Sequence, residues 1–158
     1  MNKDTFSRMV TAHSGTLYRV ARTMLASEDD CRDALGEAVL RAWESRGRLR
    51  DETRFSPWIT RILINVCKSM HRRQRRIVLT ESIPEHAAPP DIRQSPVFDA
   101  LCALPEPLRL PTVLHYVEGY SVEETADILS LPGSTVRGRL ARARAALRLE
   151  LTEEGEKP

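Results

Sequence analysis

Apolar residues in the first half of the chain recur at spacings of three and four, which is the period of an amphipathic helix. The first such run covers residues 4–26, and a second follows Ser27, a residue type that often caps helix N-termini. A third run starts at Trp58, just after Pro57, and ends in a basic cluster around Arg72. The segment between the second and third runs, residues 45–54, has no period and is predicted to be a basic loop.

The periodicity stops over residues 79–96, where four prolines lie among small and acidic residues, a composition typical of an extended linker. Beyond it we expect a short helix near Leu101 and a helix from about Pro107 through Tyr116 and Val117, distorted at Pro111 and ended by Gly119. The pattern therefore predicts an all-α protein of two small helical domains joined by a flexible linker. The predicted bounds are residues 1–77, a linker at 78–96, a second domain at 97–150 and a disordered tail at 151–158.

The segment 119–149 has the features of a helix-turn-helix. Ser121 and Glu124 form a capping-box pattern, a break at residues 130–134 follows, and a second helix is predicted to begin near Thr135. At 100° per residue, one side of this second helix carries the apolar residues Val136, Leu140, Ala143 and Leu147. The opposite side carries only small residues, namely Ser134, Gly138, Ala141 and Ala145. This side is flanked by Arg137, Arg142, Arg144 and Arg148.

Such a surface suits the major groove of DNA, because small side chains let the helix backbone approach while the arginines reach base edges or phosphates. An ordinary surface helix rich in Ala and Arg would show the same arginine pattern. The capped helix and the turn before it favour DNA binding.

The net charge of +2 is unevenly distributed along the chain. Residues 41–76 hold eleven Lys or Arg against three acids, and residues 137–149 hold five Arg and no acid. Residues 80–130 carry nine acids against two Arg. Two basic patches separated by acidic chain indicate a polyanionic partner, although a solvated charged face remains the alternative for each patch taken alone.

The sequence offers little that points to catalysis or to metal binding. Three cysteines, Cys31, Cys67 and Cys102, form no CxxC pair and are expected to be buried or half-buried thiols. The four histidines have no mutual ligand spacing, and we expect no metal, no cofactor and no catalytic residue. No apolar signal core and no long apolar run are present, so we expect a cytoplasmic location without membrane insertion.

Three segments resemble those of one family. The helix-turn-helix reads EETADILSLPGSTVRGRLARARAAL and resembles the unit that reads the minus-35 promoter element in extracytoplasmic-function (ECF) sigma factors of the sigma-70 family. Two earlier segments, DDCRDALGEAVLRAW and RFSPWITRILINVCKSMHRR, resemble the family's polymerase-binding helix and its minus-10 recognition and melting helix. The resemblance implies a region 2 helical bundle and a region 4 helix-turn-helix. Gly36, where the family usually has Gln, and Ser130, which replaces the usual turn Gly, depart from the pattern.

The resemblance also assigns site residues. Minus-35 binding is expected of Ser134, Thr135, Arg137, Gly138, Ala141, Arg142 and Arg144. Minus-10 binding and melting are expected of Arg48, Arg50, Arg54, Arg61, Asn65, Lys68 and Arg72. Binding to core polymerase is expected of Asp33, Glu37, Leu40 and Arg41.

Some of these residues have a plainer interpretation. The charged residues Asp33, Glu37 and Arg41 could simply pair along their own helix, since they are four residues apart. Asn65 could cap or bridge helices instead of touching a base. We expect Trp58 and Trp43 to belong to the core, with a base-stacking role for Trp58 as the alternative.

The family implies three partners: bacterial RNA polymerase core, promoter DNA and a cognate anti-sigma factor. No small-molecule substrate is expected. A conventional transcriptional regulator is the first alternative, but the N-terminal half shows no strand pattern from which to build a sensing domain. An enzyme acting on nucleic acid would need clustered carboxylates, and the acids at residues 28–33 are better explained as a helix start. An anti-sigma or adaptor protein would not explain the second DNA-reading surface.

Overall fold

The computed structural model describes residues 1–78 and 96–156, with side chains over 1–76 and 96–148. These residues form helices and turns and no β-strand, as the hydrophobic pattern predicts. They fall into two compact units. The first contains three long α-helices, and the second contains four α-helices of differing length. The predicted linker lies outside the described residues except at its two ends.

The first unit consists of α1 (Lys3–Met24), α2 (Glu28–Glu44) and α3 (Phe55–Val78). Short polar side chains fix the first two helix starts. Asn2 Oδ1 accepts a hydrogen bond from the Thr5 amide at 2.8 Å, and Ser27 Oγ accepts one from the Asp30 amide at 3.3 Å. The N-cap predicted at Ser27 is therefore confirmed.

Aromatic rings fill one end of this three-helix bundle. The Phe6 ring lies edge-on to Trp43 at a centroid distance of 5.1 Å and to Phe55 at 6.0 Å. Trp58 is half-buried, with its ring 5.9 Å from that of Phe55. Both tryptophans thus pack on the core, as the sequence predicts.

The other end of the bundle is joined through polar contacts to the corner between α1 and α2. Gln74 on α3 donates to the Asp30 carboxylate at 2.8 Å, and His71 contacts the Met24 carbonyl. Cys31 and Cys67 are buried, and burial raises the pKa of the Cys67 thiol to about 12. The third thiol, Cys102, is exposed on the second unit, so the expectation of burial was wrong for that residue.

The second unit consists of α4 (Pro96–Ala103), α5 (Glu106–Thr112), α6 (Val122–Leu129) and α7 (Gly133–Glu156). Directly after α5, the chain makes a π-helical turn over Val113–Val117, closed by a bond from the Glu118 amide to the Val113 carbonyl at 3.0 Å. The turn follows Pro111, which lacks an amide hydrogen, and the distortion predicted there is confirmed. Gly119 ends the segment with φ +79°, the left-handed conformation that favours glycine.

Two small aliphatic clusters anchor α7. Ala143 packs with Leu101, Leu104, Leu108 and Val113, while Val136 and Leu140 pack with Ala126. The predicted core-facing side of this helix is therefore confirmed. The helix itself continues to Glu156, beyond the bound at residue 150 that the sequence predicts for this domain.

Candidate nucleic-acid interface

Side-chain and backbone hydrogen bonds define the turn of the helix-turn-helix. The predicted capping box is present: the Glu124 amide donates to Ser121 Oγ, and the Ser121 amide donates to Glu124 Oε1, both at 3.0 Å. Ser130 adopts a left-handed conformation with φ 55° and ψ 45°, which a glycine would adopt more easily. α7 begins two residues earlier than predicted, because the Pro132 carbonyl already accepts the Thr135 amide at 3.1 Å.

The outer side of α7 presents small residues between arginines. Of the seven residues predicted to contact the minus-35 element, Thr135 and Gly138 are half-buried and the other five are exposed. Two arginine side chains reach back along the helix, since a Cβ built at Gly133 would lie 3.4 Å from Arg137 Nη1, and one at Gly138 would lie 3.9 Å from Arg142 Nη2. The positive charge is thereby drawn toward the N-terminal half of α7, the part that enters the groove in helix-turn-helix proteins.

Arg144 has a partner that the sequence did not reveal. Its Nη1 donates to the Tyr116 hydroxyl at 2.7 Å, although the two residues are 28 positions apart. Tyr116 and Val117 are 49% and 46% exposed, so the π-helical turn carries both outward and not into the core. The distortion expected at Pro111 was the only signal in the sequence that side chains beyond it would be reoriented.

In the first unit, α3 carries four of the predicted minus-10 residues on one exposed stripe. They are Arg61, Asn65, Lys68 and Arg72. Their spacing of four, three and four residues covers about 16 Å of helix. The opposite side of α3 is buried, with Ile59, Leu63 and Val66 nearly inaccessible. The stripe is therefore a continuous cationic surface held on a rigid helix.

The basic loop before α3 contains two short 3₁₀ turns, Arg46–Arg48 and Glu52–Arg54. The guanidinium of Arg46 lies 3.6 Å from the centre of the Trp43 ring and donates to the Trp43 carbonyl at 2.7 Å. Arg46 therefore fastens the loop to α2, whereas Arg48, Arg50 and Arg54 are exposed.

Asp51 caps the second of these turns. Its Oδ1 accepts hydrogen bonds from the Thr53 hydroxyl at 2.6 Å and from the Thr53 amide at 3.0 Å. These two bonds lower the pKa of Asp51, so the cap is charged at neutral pH. The loop is therefore held to α2 by Arg46 and stiffened internally by the Asp51 cap, with the predicted DNA contacts between and beside these two residues.

The predicted polymerase-binding residues Asp33, Glu37, Leu40 and Arg41 are all exposed on one side of α2. Arg41 Nε donates to Glu37 Oε1 at 2.9 Å, so the intrahelical ion pair considered as an alternative does form. Leu40 is 51% exposed and is among the few large apolar side chains left uncovered in the described residues. An exposed leucine within a charged face is suited to a protein partner.

The structure thus brings the predicted sites together in two groups. The α2 face, the basic loop and the α3 stripe belong to the first unit, and the α7 surface belongs to the second. Among the side chains that the structure describes, no three His, Cys, Asp or Glu residues lie close enough to hold a metal ion. None of the helices within the described ranges is long and apolar enough to cross a membrane.

Comparison with known proteins decides the family. Residues 9–77 match Sigma-70 region 2, and residues 96–147 match Sigma-70 region 4. The chain is 32% identical over 146 residues to the ECF RNA polymerase sigma factor SigM of Mycobacterium tuberculosis, a match that covers 90% of this chain and 74% of SigM. The chain belongs to the ECF sigma factors.

Other relatives agree with this assignment. RNA polymerase sigma factor SigV of Bacillus subtilis is 27% identical over 149 residues, which cover 92% of this chain and 90% of SigV. The solved structure of CnrH in complex with the cytosolic domain of CnrY matches with a TM-score of 0.73 and 27% identity, covering 99% of this chain and 92% of CnrH. The sigma factor RpoE of Bartonella quintana, solved with the anti-sigma factor NepR, has a TM-score of 0.78 at 22% identity, over 94% of this chain and 97% of RpoE, and supports the fold.

The family assignment fixes the general role of the chain. As an ECF sigma factor, it directs RNA polymerase to specific promoters, and its partners are the polymerase core and promoter DNA. Sigma factors in general are recognition subunits and not enzymes. The resemblance identified from the three sequence segments is therefore confirmed, as is the all-helical architecture with regions 2 and 4.

Proposed function

We propose that this sigma factor divides its work among three surfaces. The outer side of α7 reads the minus-35 element, the basic loop and the α3 stripe bind and melt the minus-10 element, and the outer face of α2 binds the polymerase core. The chain itself performs no catalysis in this scheme. Nucleotide addition belongs to the polymerase.

The observation that carries the proposal is the outer side of α7. Ala141 is exposed, and Gly138, although half-buried, has no side chain, so a partner can approach the helix backbone closely between the exposed Arg137 and Arg142. Arginine pairs bidentately with guanine in the major groove and also binds phosphates. The capping box fixes where α6 begins, and the left-handed Ser130 sets the turn from α6 into this helix, so a DNA groove is the partner that fits best.

The first unit supplies what melting requires. Displaced bases must be held out of the stack while the strand is gripped by cationic groups. Arg61, Lys68 and Arg72 provide a cationic line on α3, and Asn65 lies exposed within it, where its amide can pair with an adenine or with the backbone. Arg48, Arg50 and Arg54 extend the same charge onto the loop.

The α2 face is suited to a protein surface. Leu40 offers an exposed apolar contact, and Asp33, Glu37 and Arg41 surround it with charges of both signs. The ion pair between Glu37 and Arg41 is compatible with this role, because an exposed pair of this kind contributes little to stability and can be rearranged on binding.

We further propose a cognate anti-sigma factor that covers these surfaces in the cytoplasm until a signal releases it. The related CnrH and RpoE were solved in complex with CnrY and NepR respectively, and NepR is an anti-sigma factor. The charged and apolar surfaces of α2 and α3 would be covered in such a complex.

The experiment that tests the scheme is transcription from a genomic fragment library by bacterial core polymerase, with and without this protein. We expect new start sites preceded by one shared pair of minus-35 and minus-10 elements. If core polymerase gains no start site while the protein alone binds duplex DNA specifically, the roles given to the α2 face, the basic loop and the α3 stripe are wrong.

Single substitutions then test the role of the α7 surface in promoter binding. Arg137→Ala is expected to weaken promoter binding by about tenfold or more, through loss of a base or phosphate contact. Arg8→Ala removes another exposed arginine, on α1 and outside the three surfaces, and serves as the matched control. Equal losses for the two variants would contradict the role of α7 and indicate a general charge effect.

A further inference from the structure

Tyr116 lies outside the predicted DNA surface, and a hydrogen bond ties it to that surface. The phenol oxygen accepts a hydrogen bond from Arg144 Nη1 at 2.7 Å, and both side chains are exposed. Tyr116 reaches α7 from the π-helical turn that follows Pro111. Such wide turns are rare and occur often at functional sites, which draws attention to the side chain that this one displays.

The residues around Tyr116 hold its ring in place. The His115 ring lies edge-on to it at a centroid distance of 4.8 Å. His115 Nδ1 is 2.7 Å from the Tyr120 carbonyl, and because a carbonyl can only accept, Nδ1 carries the hydrogen. Tyr120 is itself buried and its amide donates to the Leu114 carbonyl at 3.0 Å. A connected series of contacts thus runs from the interior of the unit to the Arg144 guanidinium.

The position of Arg144 along α7 indicates what it contacts. It lies seven residues beyond Arg137, hence about 10 Å farther along the helix and within about 20° of the same side. In helix-turn-helix proteins the N-terminal residues of the recognition helix reach the base edges. A residue two turns farther along lies near the edge of the groove, where the phosphates are.

We propose that Tyr116 is a positioning residue that orients Arg144 toward a phosphate of the minus-35 duplex. The phenol oxygen of Tyr116 accepts one guanidinium N–H of Arg144. This bond fixes the plane of the guanidinium group, and its other N–H donors stay available to the phosphate. The freedom that Arg144 would otherwise lose on binding is restricted beforehand, which favours the complex. This inference rests on the proposed role of α7.

The test uses the full chain assembled with core polymerase and the promoter recovered in the transcription experiment. Dissociation constants are measured by fluorescence anisotropy over a series of salt concentrations for Tyr116→Phe, Arg144→Ala and the double variant. Tyr116→Phe keeps the ring and removes only the hydroxyl, and Tyr18→Phe is the matched control on α1. Thermal unfolding of each variant checks that the fold is retained.

We expect Tyr116→Phe to weaken promoter binding about threefold to tenfold and Arg144→Ala somewhat more, with a salt slope reduced by about one. In the Arg144→Ala background, Tyr116→Phe should have no further effect. Discrimination between the promoter and a duplex with an altered minus-35 element should be unchanged, because phosphate contacts carry no sequence information directly.

Two results would overturn the inference. The first is wild-type affinity for Tyr116→Phe, or tighter binding, which would make the contact incidental or one that restrains Arg144 away from DNA. The second is an equal loss from Tyr116→Phe with and without Arg144, which would make Tyr116 an independent contact. Failure of the proposed function has a different signature, because the wild-type holoenzyme would then show no preference for the promoter over unrelated DNA.

Discussion

The two units present positive charge to a partner in different ways. The first places long polar side chains on a loop and along the exposed stripe of α3, over a bundle whose core includes the large rings of Phe6, Phe55 and the half-buried Trp43. The second presents a helix whose outer side carries only small residues at Gly138 and Ala141, over a mainly aliphatic core that also includes Tyr120. The surface of the first unit is built from long side chains, whereas that of the second depends on how closely the α7 backbone can approach its partner.

This difference determines what each unit must control. A surface of long side chains needs a loop that is held in one conformation, and Arg46 and Asp51 hold it. A helix with small residues on its outer side must be held at a fixed angle in its domain. The left-handed backbone conformations of Ser130 and Gly119 determine how the chain turns before α7 and before α6. Side-chain substitutions should therefore disturb the first unit locally, while backbone substitutions should matter most in the second.

Core truncations should have the largest effects and should separate the units. Phe55→Ala is expected to lower the free energy of unfolding of the first unit by about 3–5 kcal/mol, and Leu114→Ala that of the second by about 2–5 kcal/mol. Both tryptophans lie in the first unit, so the midpoint of the fluorescence transition in urea reports on that unit. Circular dichroism follows both units.

The expected pattern is a shifted fluorescence midpoint for Phe55→Ala and an unchanged one for Leu114→Ala. Equal shifts for both variants would show that the chain unfolds as one cooperative body, and the comparison between units would then have no thermodynamic meaning.

Much of this architecture could be predicted because local signals agree with the packing. The three- and four-residue spacing identified the buried side of α7, with Val136 and Leu140 inside, and the capping box at Ser121 fixed the start of α6. The minus-10 residues that the resemblance assigns to α3 lie on one exposed side, because helical periodicity places Arg61, Asn65 and Lys68 together. Such features depend on neighbours within about two turns, and the sequence shows those directly.

What could not be predicted depends on contacts between distant residues. Nothing near Arg144 in the sequence points to Tyr116, and Pro111 predicts a distortion without predicting the side to which later residues turn. Arg46 looked like one more loop cation, yet its guanidinium lies over Trp43. The exposure of Cys102 beside the buried Leu101 likewise follows from how the short α4 packs, which its few residues do not specify.

Arg46→Ala tests whether the contact with Trp43 holds the basic loop, and Arg48→Ala tests whether the loop binds DNA. Arg46→Ala removes a cation–π contact and a hydrogen bond and is expected to lower the free energy of unfolding of the first unit by about 1–2 kcal/mol. Arg48→Ala should leave stability within about 0.5 kcal/mol of wild type, because Arg48 is exposed.

Promoter opening, followed with permanganate, should fall in both variants but for different reasons. At a lower temperature, opening by Arg46→Ala should recover relative to wild type measured at the same temperature, because its loop is less loosened, whereas the relative opening by Arg48→Ala should not change. A stable Arg46→Ala protein would mean that the contact with Trp43 does not hold the loop.

Two exchanges that involve glycine should change the stability of the two units by smaller amounts and for different reasons. Ser130→Gly relieves a left-handed conformation and should raise the free energy of unfolding of the second unit by up to about 1 kcal/mol, once the greater freedom of glycine in the unfolded chain is subtracted. Gly36→Ala lies in open space on α2 and should stabilise the first unit by about 1 kcal/mol through helix propensity alone. Urea titration followed by fluorescence and circular dichroism measures both.

The smallest expected change in stability separates the two interpretations of the α2 face. Glu37→Gln removes the ion pair with Arg41, which at 2.9 Å and with both side chains nearly half exposed contributes about 0.3–0.5 kcal/mol to the free energy of unfolding. Glu28→Gln removes the corresponding pair with Arg32 on the same helix and is the matched control.

Affinity for core polymerase, measured by competition between labelled and unlabelled sigma factor, then distinguishes a structural pair from a binding residue. If Glu37→Gln weakens polymerase binding about tenfold while Glu28→Gln does not, Glu37 belongs to the polymerase interface, since a change of a few tenths of a kcal/mol in folding cannot account for a factor of ten. Equal and small losses in both variants would reduce Glu37 to a helix-stabilising residue and leave the exposed Leu40 as the feature of α2 that still points to a partner.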